Sequence, residues 1–170
     1  DVVKLLAAKN ISLNCEIPKG SPSLTIMSVE YEKNNAADVN KSFFNGACVG
    51  VAKDEEMVEF KKDNEIVNIM NEKYLTYKNN SSKEKYNELN EEVAIQIAED
   101  FLKEKGYSED DMKLTSKHRE KNDYYLEYTK IYNGIYLEKT YTKFLIGKSG
   151  VKEFERLWLN PKELGENDIY

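Results

Sequence analysis

Apolar positions along the chain recur with two periods, one helical and one strand-like. Between Asn90 and Gly106 the residues Val93, Ala94, Ile97, Ala98 and Phe101 form a single stripe with helical spacing. Asn90 is placed to cap this helix, and Glu91 and Glu92 suit its positive N-terminal end. Lys103 and Lys105 fall in the last turn, and Gly106 sits where a left-handed residue ends a helix. Val2, Leu5 and Leu6 share a weaker helical face that fades near Asn10, and 36–44 reads as a short helix capped by Asn35. Elsewhere the period is two. Thr25, Met27, Val29 and Tyr31 alternate along a strand over 24–32. Further strands are expected at 46–53, 57–61 and 66–69, with 73–78 extending the last of these. In the second half they are expected at 123–132, 136–147 and 151–159, where Pro161 is expected to stop the final one.

Turn residues punctuate these elements. Two prolines and a glycine mark 16–22 as a loop, and 54–56 reads as a turn. Asn133-Gly134 is a strong hairpin signal, and Lys148-Ser149-Gly150 marks another tight turn. Asn79-Asn80-Ser81-Ser82 is the clearest linker. The fold expected is α+β, in two related lobes, each a helix packed on a curled antiparallel β-sheet. The expected divisions are an N-terminal lobe over 1–78, linker and helix start over 79–90, a C-terminal lobe over 91–160, and a loose polar tail over 161–170.

Composition narrows the function classes. The chain has 170 residues, 40% apolar and 33% charged, which is enough to bury a core without cross-links. Twelve tyrosines, six phenylalanines and one tryptophan favour half-buried strand faces. A net charge of −6, with Arg119 and Arg156 the only arginines, argues against a nucleic-acid partner. The two cysteines, Cys15 and Cys48, have no CxxC or Cys/His context, so zinc is not expected. Spacing leaves open whether they pair or stay free thiols. No stretch approaches the roughly 20 apolar residues that span a bilayer.

No residue set reads as catalytic, metal-binding or cofactor-binding. His118, the only histidine, is expected in a charged loop, Lys117-His118-Arg119-Glu120, without an orienting partner. A cysteine nucleophile would need a base beside it. The acids Glu55-Glu56, Glu91-Glu92 and Glu109-Asp110-Asp111 lack the alternating ligands and glycine of a calcium loop. Turns and a helix N-terminus account for them. No glycine-rich phosphate loop is present. The tyrosines of the C-terminal half either pack the sheet or form a protein-binding face, and Phe154 and Trp158 extend the apolar last strand. Tyr125, Tyr132 and Tyr136 are the candidate partner-binding residues.

The capped helix over 90–105, then Tyr124-Tyr125-Leu126-Glu127-Tyr128, Ile131 to Tyr136 and Lys148-Ser149-Gly150-Val151, together resemble the C-terminal half of the YycI/YycH regulatory proteins. The same helix-then-strands order resembles PepSY-type domains. The YycI resemblance implies an extracytoplasmic domain tethered by a single N-terminal transmembrane helix; that helix is expected upstream of Asp1, where trimming would explain its absence. It also implies a non-enzymatic regulator of a WalK/YycG-type sensor histidine kinase, acting with a YycH-like sister protein on cell-wall metabolism. The rival readings are a PepSY-like secreted inhibitor or propeptide of a hydrolase, a hydrolase with converging acids, and a structural envelope protein.

Overall fold

The structure, a computed structural model, describes residue 9 and residues 23–108 and 110–168, with side chains described within 28–162. The expected helix near Val2, the loop over 16–22, Cys15 and Glu109 lie outside the described residues.

Both described helices begin and end on the residues that the sequence marks. Helix α1 (Ala36–Phe44) starts where the Asn35 side chain accepts from the Ala37 N–H at 2.9 Å. It ends at Asn45 in the left-handed region, φ 54°. Val39, Phe43 and Phe44 are its buried face. Helix α2 (Glu91–Lys105) starts at Asn90, whose side chain accepts from the Val93 N–H at 2.9 Å. It ends at Gly106 with φ 79°, a conformation that costs glycine little. Ala94, Ile97, Ala98, Phe101 and Leu102 are buried, so the helix buries the stripe that the spacing predicts, extended by Leu102.

The strands are β1 (Ser23–Tyr31), β2 (Val51–Ala52), β3 (Met57–Lys62), β4 (Glu65–Met70), β5 (Tyr74–Asn79) and β6 (Met112–Glu120). They continue with β7 (Asp123–Tyr132), β8 (Ile135–Tyr136), β9 (Tyr141–Gly147), β10 (Gly150–Leu157) and β11 (Leu159–Asp168). The chain divides into two units, Val29–Pro161 and Asp1–Ser28 with Lys162–Tyr170. β1 and β11 pair as a two-stranded sheet, and Ser28 Oγ donates to the Lys162 carbonyl at 3.5 Å.

Within Val29–Pro161 an antiparallel sheet runs β2-β3-β4-β5-β10-β9-β7-β6, and β8 pairs with the end of β7. The fold is α+β, with both helices on this sheet. α1 packs on β3 and against α2, and α2 packs on β7, β9 and β10. The two helix-plus-strand lobes meet edge to edge where β5 pairs with β10. Phe101 centres the core. Its ring lies 5.2 Å from Phe154, 5.3 Å from Tyr77, 5.9 Å from Phe144 and 6.0 Å from Phe43. Arg156 is buried at 2% exposure between the rings of Tyr107 and Trp158. Its guanidinium makes a two-pronged pair with Glu32 at 2.7 and 2.8 Å and donates to Thr142 Oγ1 at 2.8 Å, so the buried charge is satisfied.

Several strand expectations are corrected. Over 46–53 only Val51–Ala52 pairs; glycines at 46 and 50 weaken strand structure in this stretch. Residues 73–78 do not extend β4. Asn71 and Glu72, both left-handed at φ 53° and 55°, reverse the chain, and β5 pairs back on β4. His118 is not in a loop but in β6, the outermost strand. That strand is exposed along most of its length, so no apolar alternation announces it. The expected strand over 136–147 is broken after Tyr136, where Thr140 N–H and Oγ1 both donate to the Leu137 carbonyl. Pro161 does not end the last strand, and 161–168 is not a loose tail, because β11 runs on to Asp168. A two-stranded ribbon leaves each strand one unpaired edge, and a proline without an N–H is tolerated there.

Candidate functional site

Side chains alternate across a strand, so the sheet of Val29–Pro161 has two faces of different chemistry. The inner face carries Val67, Leu75, Tyr77, Leu126, Phe144 and Phe154 under the helices. The outer face is set by strand register. Thr76, Glu155, Lys143 and Glu127 form one row across β5, β10, β9 and β7. Beside it, Lys78, Glu153, Leu145, Tyr125 and His118 form a second row that reaches β6. On the other side, Tyr74 and Tyr141 both face Leu157, and Met70, opposite Tyr74 on β4, is 42% exposed.

Three half-buried tyrosines on three strands thus surround Glu155. Burial is the first cause that raises the phenol pKa of Tyr74, Tyr125 and Tyr141, and the Glu155 carboxylate is the second in each case. All three remain neutral donors at physiological pH. Lys143 lies 3.9 Å from Glu127 and 4.4 Å from the centre of the Tyr141 ring, and Lys78 lies 3.0 Å from Glu153. Glu127, Glu153 and Glu155 outnumber the two lysines, so the face is aromatic and mildly acidic. The recess that Tyr125, Lys143, Leu145, Glu153 and Glu155 line holds only about 20 Å³, roughly one water. Such a surface is nearly flat. It offers contact area and polar edges, the features of protein recognition rather than of enclosure of a small substrate.

No protein-family model matches the chain, and no curated protein matches it. Among solved structures it is similar to the Bacillus megaterium YpeB C-terminal domain, with a TM-score of 0.50 and 14% identity. The match covers 72% of this chain and 63% of that one, so the chain spans less than two thirds of its length. At that identity the likeness concerns the fold alone. It agrees with a PepSY-like helix-plus-sheet arrangement and not with YycI or YycH in particular.

Of the tyrosines singled out in the sequence, Tyr125 lies on this face with its ring stacked on His118, 5.1 Å between centres. Tyr132 and Tyr136 lie elsewhere, at the β7–β8 hairpin. Tyr136 faces Ile131 and Tyr132 faces Ile135, so the two point to opposite sides of the ribbon. Tyr136 is 45% exposed, with the Lys113 ammonium 5.6 Å from its ring centre. Sequence reasoning missed Tyr74 and Glu155. The signal present was alternation, Tyr74-x-Thr76 and Glu153-x-Glu155, but nothing local says that β5 and β10 are neighbours.

Several of the remaining chemical candidates have structural partners. Cys48 is a half-buried free thiol, with Sγ 3.8 Å from the Lys61 carbonyl. Asp54 accepts from the Glu56 N–H at 2.8 Å, and Asn71 donates to Glu56 at 3.2 Å. Glu91 pairs with Lys117, and Asp110 accepts from Ser108 Oγ at 2.9 Å. Among the described residues no group of three or more His, Cys, Asp or Glu is placed to hold a metal ion. No described helix is long and apolar enough to cross a membrane.

Proposed function

We propose that this chain is a non-catalytic, extracytoplasmic protein-binding module that presents the outer face of its sheet to a partner. The observation that carries the reading is the flat cluster of Tyr74, Tyr125 and Tyr141 around Glu155. Tyrosine supplies large contact area at low entropic cost, and Met70 adds an exposed apolar anchor. The carboxylates favour a partner segment bearing lysine or arginine. By analogy with YycI-like regulators, the partner is the sensor domain of a WalK/YycG-type histidine kinase, in concert with a YycH-like sister protein. A transmembrane helix N-terminal to the chain would tether it. Contacts that differ between the kinase's active and inactive states would shift the population between them. The PepSY-like fold supports a second reading, a secreted inhibitor or propeptide that covers a hydrolase with the same face.

Calorimetric titration against the kinase sensor domain of the same organism tests the first reading. Affinity near micromolar or tighter is expected. Tyr125→Ala and Tyr141→Ala should each weaken it about tenfold, on the scale of an interface anchor, with the unfolding midpoint unchanged. Undiminished affinity in both variants would remove the outer face from the account. Binding to a co-expressed hydrolase and not to the kinase would favour the second reading.

A further inference from the structure

A second surface, lined by none of the three clustered tyrosines, has the opposite charge. The linker over 81–89, the β6–β7 turn and the β9–β10 turn enclose a groove of about 540 Å³. Four cations line it, Arg119, Lys121, Lys148 and Lys152, against two acids, Glu84 and Asp123. In a chain of net charge −6 this is a local reversal of sign.

The ion pairs leave the excess charge uncommitted. Lys152 is held by Asp123 at 2.8 Å. Lys148 is only 3.8 Å from Glu84, whose side chain is 66% exposed. Arg119 spends Nε on the Lys121 carbonyl at 3.1 Å and lies over the Tyr124 ring, which leaves its terminal nitrogens for other acceptors. The Lys121 ammonium has no partner among the described residues and projects from a left-handed turn, φ 55°.

The groove is also built in advance. The linker is tied down by the Lys85 and Tyr86 N–H groups, both donating to the Lys148 carbonyl at 2.8 and 3.1 Å. A bulge where β10 shifts register against β9 swings Lys152 toward Asp123. Gly147 makes room for that pair: a Cβ there would stand 2.6 Å from Asp123 Oδ1 and 2.8 Å from Lys152 Cδ.

We infer that this groove binds a phosphorylated sugar. The volume falls in the range of small-molecule sites, ~300–1,000 Å³, and exceeds what a bare phosphate needs. Leu89 is the only aliphatic residue of the lining, so the ligand is hydroxyl-rich rather than apolar. Arg119 and Lys121 take the phosphate. The hydroxyls of Ser81, Ser82 and Ser149, with the Glu84 carboxylate, exchange hydrogen bonds with the sugar.

Titration of the full chain with glucose 1-phosphate, glucose and inorganic phosphate tests this. Glucose 1-phosphate should bind at least tenfold tighter than either other probe, and more weakly as salt rises. The double variant Arg119→Glu/Lys121→Glu should lose at least tenfold with its unfolding midpoint unchanged. A phosphodiester-linked glycan that binds tighter per site than the monomer would place the same chemistry on a polymer, and equal affinity would place it on the free sugar phosphate. Absence of heat with glucose 1-phosphate, equal binding of glucose or of bare phosphate, or full affinity in the double variant would overturn the inference.

Discussion

At the scale of single residues, the tyrosines carry more of the chemistry than any acid, histidine or cysteine. Tyr77 is buried and Tyr107 half-buried on the helix side, and Tyr74, Tyr125 and Tyr141 line the outer face. Burial is the leading cause of a raised phenol pKa in all five. The unfolded chain ionises near the ordinary phenol value of about 10, whereas the native phenols hold their protons longer. Native structure is therefore favoured by the protonated rings below about pH 10, and the stabilisation is lost as pH rises from there toward the native values. Urea midpoints should stay level from neutral pH to about pH 9 and fall above about pH 10. Absorbance titration of tyrosinate should run to higher pH in native protein than in urea. Coincident native and unfolded titration curves would contradict this placement of the rings.

At the scale of elements, the caps decide where helices begin and the turns decide where strands end. The side chain of Asn90 satisfies the Val93 N–H and that of Asn35 the Ala37 N–H. Loss of such a cap costs about 1 kcal/mol. Asn90→Ala should lower stability by about that amount in urea denaturation, and Asn90→Asp should restore it, because an anion also favours the helix N-terminus. A loss well above that size would mean that Asn90 does more than cap. Asn133 and Gly134, at φ 48° and 80°, make the β7–β8 turn on the dipeptide best suited to it. These features were legible because each depends on a few adjacent residues. Strand β6 was not: Met112 and Leu114 are its only apolar residues, and the exposed remainder, through His118 and Arg119, looks like loop in sequence. Its pairing with β7 makes it a strand.

At the scale of the whole sheet, the two lobes are joined by the β5–β10 pair, by α1 against α2, by the Glu32–Arg156 ion pair and by one ring that touches both. β5 of the first lobe pairs with β10 of the second, and Phe101 of α2 touches Phe43 and Tyr77 on one side and Phe144 and Phe154 on the other. Removing a buried phenylalanine of this kind costs about 3–5 kcal/mol. Phe101→Ala should cost that much and lower hydrogen-exchange protection in β4 and in β9 alike. Loss confined to α2 and its own strands would mean that the lobes unfold separately. The tyrosine face arises at the same scale. Tyr74, Glu155, Tyr141 and Tyr125 come from four strands, and register alone assembles them.

The sequence by itself determined the α+β class, the limits of α1 and α2, the turns at Asn133-Gly134 and Lys148-Ser149-Gly150, and the buried stripe of α2. Caps, left-handed residues and short-range periodicity act through neighbours a few positions apart, and their energetics are nearly independent of the rest of the chain. Only the tertiary structure decided that β5 lies beside β10, that the strand after Trp158 continues through Pro161, and that Tyr125 and not Tyr132 or Tyr136 joins the outer cluster. Those outcomes depend on hydrogen bonds and burial between segments far apart along the chain. The inner face of β5 and β10 is selected by the core beneath α2, and the outer face is whatever that register leaves.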